Sequence, residues 1–149
     1  MGLFSKKDKD TIIVKNNTLT INGLMYQNQP FIEKFTWEEA KEYAKNLQLE
    51  GHNDWRLPTK EELSKIINVS LFGNKNPNGE IHHIRKEFLH NISDGRSDFW
   101  TSEECSSTHA WYLSFKYASI DECFYCMNKK EYYNGDRVEI AYVMCVRWS

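Results

Sequence analysis

Two Thr-x-x-Glu boxes constrain this chain more than any other feature. Thr36 to Glu39 (TWEE) and Thr59 to Glu62 (TKEE) each pair a hydroxyl N-cap with a carboxylate three residues on. Each box therefore predicts a helix start at a defined residue. After Thr36, the residues Trp37, Ala40, Tyr43, Ala44 and Leu47 fall on one helical face, and Gly51 lies just past the end. After Thr59, Leu63, Ile66 and Ile67 form the stripe of a shorter helix that is expected to end near Asn68.

The stretch between the boxes, GHNDWRLP, has two readings. Asp54, Arg56, Glu61 and Glu62 are the residue types of a catalytic cluster, which would need a poised acid or base in a cleft. The alternative is a hinge. Pro58 pushes Leu57 into an extended conformation and pairs with Leu63 as a hydrophobic staple. Trp55 packs in the core. Arg56, with five donors in a rigid fork, pins backbone carbonyls or a carboxylate at the helix entry. Glu61 and Glu62 then sit in the first turn, where the helix dipole favours negative charge. Capping already accounts for the surrounding residues, so the hinge reading is preferred. Thr36, Trp37, Asp54, Trp55, Arg56, Pro58, Thr59 and Glu62 are expected to be scaffold.

Strand signals flank the helices. TIIVKNNTLTINGLMYQ reads as short strands joined by tight turns at Asn16-Asn17 and Asn22-Gly23. DFWTSEE and HAWYLSF read as a hairpin in which Trp111, Leu113 and Phe115 form an apolar face. VEIAYVMCVRW reads as a closing strand. Residues 72–98 read as loop, with one or two helical turns in IRKEFLHNI. Residues 116–137 show no clean period. Strands, two helices, a long loop region and strands again make a segregated α+β chain. Residues 1–10 are expected to be a tail and 11–149 a single domain.

Charge and cysteines narrow the function. Nineteen basic against twenty-one acidic residues give a net charge of −2 without a basic stripe, which disfavours nucleic acid as a partner. No apolar run approaches the roughly 20 residues of a membrane span, and the N-terminus lacks a signal-peptide core, so a cytoplasmic protein is expected. Cys105, Cys123, Cys126 and Cys145 are accordingly expected to be free thiols. Cys123 and Cys126 form a lone C-x-x-C with no second pair, weak as a zinc or redox signal. His82, His83 and His90 fit no metal motif and are expected at the surface. Neither a cofactor nor a metal is expected. Asn76 to Asn78 (NPN) and Asn53-Asp54 echo calcium-lectin motifs faintly, without the oxygen ligands calcium needs.

NGLMYQ, TWEEAKEYAKNL, GHNDWRLPTKEEL, FWTSEE, AWYLSF and YVMCVR occur in that order, and together they resemble the Lcl C-terminal domain family, named after a collagen-like bacterial adhesin. RLPTKEE is also similar to a segment of the formylglycine-generating, sulfatase-modifying family. The resemblance implies a C-type-lectin-like fold: two helices flanking small antiparallel sheets, both chain ends close together, and a loop-rich second half that meets ligands. Many members carry a cysteine at the position of Ala44, paired with the one matching Cys145; here Cys145 has no such partner and counts as structural, like Trp111. No catalytic residue carries over. Function must come from the site itself.

The expected function is a non-catalytic binding module for an unknown protein or glycan. The alternatives are a thiol- or metal-dependent enzyme, or a structural subunit of a phage or secretion assembly. The oligomeric state is open. The aperiodic aromatics of residues 116–137 suggest the ligand-binding residues: Tyr125, Tyr132, Tyr133, Asp136 and Arg137, tyrosine and arginine being favoured at interface hot spots.

Overall fold

The computed structural model describes residues 9–70, 72–117, 123–129 and 139–149. Both capping boxes form. Thr36 accepts from the Glu39 amide while the Glu39 carboxylate accepts from the Thr36 amide, and α1 runs Trp37–Asn46. Thr59 and Glu62 make the same reciprocal pair at the start of α2, Lys60–Ser64. This helix stops short of the expected Asn68, although Leu63 and Ile66 are fully buried as its stripe requires. A 3-10 helix covers Lys86–Asn91, in the segment read as one or two helical turns.

The first sheet collects both ends of the described chain. β1 (Ile12–Val14), β2 (Thr18–Ile21) and β3 (Leu24–Gln27) form an antiparallel meander, and β9 (Val146–Trp148) pairs with β3. The β2–β3 turn needs positive φ at both central residues, and Asn22 (φ 50°) and Gly23 (φ 87°) supply it. A second sheet holds β6 (Asp98–Glu104), β7 (His109–Ser114) and β8 (Phe124–Asn128), with β7 in the middle. A two-residue ladder of β4 (Asn74–Lys75) with β5 (Ile81–His82) closes the 72–98 loop region. The architecture is α+β with small antiparallel sheets, as expected.

Two packed cores flank the C-terminal segment. Tyr142, Met144 and Val146 join a core with Leu19, Tyr26, Leu63, Phe88, Phe99 and Phe115. Ala141, Val143 and Cys145, the alternate residues, join a core with Trp37, Ala44, Trp55, Leu57 and Trp100. Alternation between two buried faces explains why AYVMCV is apolar throughout. The expectation of one continuous closing strand is corrected: among its described residues only Val146–Trp148 form a regular strand, while Ala141 bridges Phe35 and Tyr142 bridges Phe99. The segment changes partners along its length, so no single ladder persists.

The loop region is held by buried amides. Asn76 Nδ2 donates to the Ile92 carbonyl at 2.9 Å, and its Oδ1 accepts from the amides of Asn78 and Glu80. These bonds occupy the Asn76 side chain internally, and Asn78 Nδ2 donates to the Ser93 carbonyl at 2.8 Å. His82 is completely buried and bonds Ser97 Oγ at 2.7 Å, which corrects its expected surface position. His90 is exposed, as expected. Burial pushes the His82 pKa down, with Lys116 assisting.

The thiol expectation is corrected too. Cys105, after β6, and Cys126, in β8, form a disulfide with Cα atoms 6.2 Å apart. Cys123 and Cys145 are buried and lie outside it. Strand pairing carries Cys126 past Trp111 to the β6–β7 turn, so its partner is Cys105 rather than its sequence neighbour Cys123. Cys145 shares a core with Ala44, and burial raises its thiol pKa. Ala44→Cys is expected to yield a second bridge, to Cys145, under mild oxidation. Titratable thiols in the unfolded, unreduced variant should fall by two after oxidation. An unchanged count would mean that positions 44 and 145 do not meet bridging geometry.

Candidate functional site

The bonding of residues 54–62 decides whether this region is available for chemistry. Trp55 is 4% exposed and its indole N–H donates to the Leu49 carbonyl. Arg56 binds the Glu62 carboxylate with both terminal nitrogens, at 2.7 and 2.8 Å, and also donates to the Leu57 carbonyl. Its backbone exchanges two hydrogen bonds with Val146, at the start of β9. Glu62 Oε1 accepts from the Thr59 amide as well. Burial pushes the Glu62 carboxyl upward, but Arg56 and Thr59 outweigh it, and the net shift is below the usual range. Asp54 pairs with Arg147 at 2.6 and 3.2 Å, which holds its carboxyl low. Every acid in this group except exposed Glu61 is committed to a structural bond. The stretch ties β9 to α2 through these bonds.

A cleft with several polar groups lies elsewhere, where the C-terminal segment crosses β6. Lys34, Arg96, Asp98, Tyr112, Glu139 and Tyr142 line a space of about 230 Å³. The Phe35–Ala141 bridge delivers Lys34 to one wall, and the Phe99–Tyr142 bridge sets Tyr142 beside Asp98. Tyr112 comes from β7, and its ring stacks on Tyr125 of β8 at 5.3 Å. The Glu139 carboxylate accepts from the Asn128 amide at the end of β8.

One wall is locked by Asp94. Lys34 Nζ lies 2.8 Å from its Oδ2 and 5.1 Å from the Tyr142 ring centre, while Tyr142 Oη donates to the same oxygen at 3.0 Å. Lys34, more than any other neighbour, holds the Asp94 carboxyl down to about 2. Burial, reinforced by Asp94, raises the Tyr142 phenol. Tyr112 is pushed up to about 12, by burial first and then by Asp98. Both phenols therefore stay protonated near neutral pH and act as hydroxyl donors. The other wall is open: among the described residues, the side chains of Arg96 and Asp98 have no hydrogen-bond or ion-pair partner.

Of the suggested binding residues, Tyr125 is half-buried behind this cleft, against Tyr112 and 6.1 Å from Tyr117. Tyr132, Tyr133, Asp136 and Arg137 lie outside the described residues. Of the scaffold set, Thr36, Trp37, Trp55, Pro58, Thr59, Glu62 and Cys145 sit in caps and cores. Trp111 is half-buried at the edge of its face, with Lys60 Nζ 4.1 Å from its ring centre. Sequence reading missed Lys34, Arg96, Asp98, Glu139 and Tyr142, which no local motif joins. Tyr112 carried a signal: it is the aromatic that alternates out of the Trp111–Leu113–Phe115 face.

Among the described residues there is no group of three or more His, Cys, Asp or Glu side chains placed to hold a metal ion. No helix among them is long and apolar enough to cross a membrane. The family model described as Lcl C-terminal domain matches residues 16–147. No curated protein matches the chain.

Proposed function

The chain belongs to the Lcl C-terminal domain family, and on that premise we propose that it is a non-catalytic binding module of the C-type-lectin-like class whose ligand is the end of a neutral glycan. The lectin-like assignment is supported by the pairing of β9 with the N-terminal meander and by two helices beside small antiparallel sheets. The ligand assignment rests on one observation: Asp98 and Arg96 both line the cleft with side chains that have no hydrogen-bond or ion-pair partner among the described residues. A carboxylate accepts from sugar hydroxyls, and a guanidinium donates to them. Tyr112 and Tyr142 add rings and hydroxyls, and aromatic faces suit the C–H side of a sugar.

Size and charge favour the glycan end over other ligands. A space of about 230 Å³ is below the roughly 300–1,000 Å³ of sites for drug-sized molecules, so it suits about one ring. A protein partner would need about 800 Å² on each side, well beyond this cleft. Lys34 is already paired with Asp94, and Arg96 shares the cleft with Asp98 and Glu139, so charges of both signs line it and no strongly charged ligand is favoured. The Cys105–Cys126 bridge supports a working form that meets oxidising conditions. It also weakens the thiol-enzyme alternative, because Cys126 is bonded away from Cys123.

Ligand-observed NMR against a panel of neutral mono- and disaccharides, followed by calorimetry, tests the reading. At least one sugar should bind, and Asp98→Asn should weaken it about tenfold or more, about 1.4 kcal/mol, with an unchanged melting temperature. If no sugar of the panel binds at millimolar concentration, or if Asp98→Asn binds like the parent, the proposal fails.

A further inference from the structure

A second surface, separate from the cleft, surrounds the outer side of α1. Phe35, Tyr43 and Leu47 line a shallow groove of about 470 Å³. Phe35 and Tyr43 also line a neighbouring depression of about 200 Å³ that continues toward Phe31 and Ile32. The two rings, 5.0 Å apart, form the ridge between the halves. Ile32 is 75% exposed beside them. The ridge is fixed from below: Gln27, 3% exposed, donates to Tyr43 Oη at 2.8 Å, and its own Oε1 accepts from the Cys145 amide. A surface held this way loses little freedom when it is covered.

Charge around the groove is one-sided. Glu39, Glu42, Tyr43 and Asn46 follow i, i+3, i+4, i+7 spacing and share one stripe of α1, facing the groove. Glu33 stands on the other half. Among the described residues, neither half is lined by a lysine or arginine. The nearby helix lysine Lys41 sits over the Trp37 ring and pairs with Glu38, off this stripe. Glu39 and Glu42 accept hydrogen bonds from the Thr36 amide and the Asn46 side chain, contacts that leave their negative charge in place.

We propose that the groove over Phe35 and Tyr43 docks a segment of another protein that carries an apolar anchor flanked by lysine or arginine. The anchor covers the ridge and the exposed Ile32, where aromatic and aliphatic side chains give most of the contact area. The flanking cations meet Glu33, Glu39 and Glu42, and this complementarity sets the choice of partner and the salt dependence of binding. The assignment is independent of the glycan cleft, because no ligand-facing residue there takes part.

Fluorescence anisotropy with synthetic peptides tests it. One set carries a Leu, Phe or Trp anchor flanked by Lys and Arg; the control set carries the same anchors flanked by Glu. The basic set should bind saturably and more weakly as salt rises. Binding should fall about tenfold or more in Ile32→Ser and in the double variant Glu33→Lys/Glu42→Lys, both melting like the parent. Amide shifts on binding should centre on Tyr43 and Leu47. Equal binding of the acidic set would overturn the proposal, as would no binding of any basic peptide at about 1 mM. Sedimentation supplies the remaining arm: a concentration-dependent dimer abolished by Ile32→Ser would assign the groove to a second copy of this chain and overturn the peptide assignment.

Discussion

Trp55→Ala is expected to destabilise the protein by about 3–5 kcal/mol, a loss of about 10 °C in melting temperature for a chain of this size. The indole is 4% exposed and shares a packed core with Trp37, Ala44, Leu57, Trp100 and Cys145. Its removal empties that space and also leaves the Leu49 carbonyl without its N–H donor. Trp148→Ala is the matched control: its indole is 56% exposed, and the change should stay within about 0.5 kcal/mol. Arg56→Ala should fall between the two, at about 1–3 kcal/mol. The Arg56 side chain is 40% exposed, but the Glu62 carboxylate that it grips is only 9% exposed and would lose both guanidinium bonds. Arg56→Lys keeps one charge and loses the fork, so it should recover part of the loss. Urea unfolding of the four variants measures all of this. If Trp55→Ala and Arg56→Ala both unfold like the parent, the hinge is not structural and the acids around it regain interest as chemistry.

Features that depend on a few neighbouring residues are legible in the sequence. Both capping boxes close within three residues, and both formed. Asn22-Gly23 made its turn for the same reason. The β6–β7 hairpin was legible because alternation over six residues is a local pattern. β8 was not. Its residues are half-buried or exposed without alternation, so no period marks Phe124–Asn128 as a strand, and only pairing with β7 defines it. The closing segment misleads in another way: a run buried on both faces looks like one strand even where its hydrogen bonds go to four different partners, Phe35, β6, Arg56 and β3. His82 looked like a surface histidine because its burial depends on Asn76 and Ser97, held by a loop with no sequence period. The cleft is the extreme case. Lys34 and Tyr142 are distant in sequence and meet only because two isolated bridges cross near one end of β6.

Loss of the Cys105–Cys126 bridge should cost about 3 kcal/mol. The two cysteines are 21 residues apart, and closing a loop of that size removes about this much conformational freedom from the unfolded chain. The native contacts give a second reason. Among the described residues β8 pairs in the second sheet with β7, at its edge, and the disulfide is its covalent tie to the β6–β7 turn. The end of β8 then carries Asn128 to Glu139 at the cleft, and Lys129 to the Ser107 carbonyl. Cys105→Ser/Cys126→Ser should therefore unfold at lower urea than the parent, and the parent with reductant should match the double variant. Thiol counting provides an independent check: of the four cysteines, two should react after unfolding without reductant, and all four after reduction. Four reactive thiols in the unreduced protein would restore the expectation of a fully reduced chain. Two thiols with no change in urea midpoint would mean that the bridge forms without stabilising the native state. Saccharide affinity measured with and without reductant then separates two roles of the bridge. If the tie on β8 also holds the cleft wall, affinity should fall along with stability, because Asn128 and Glu139 would no longer be fixed against each other.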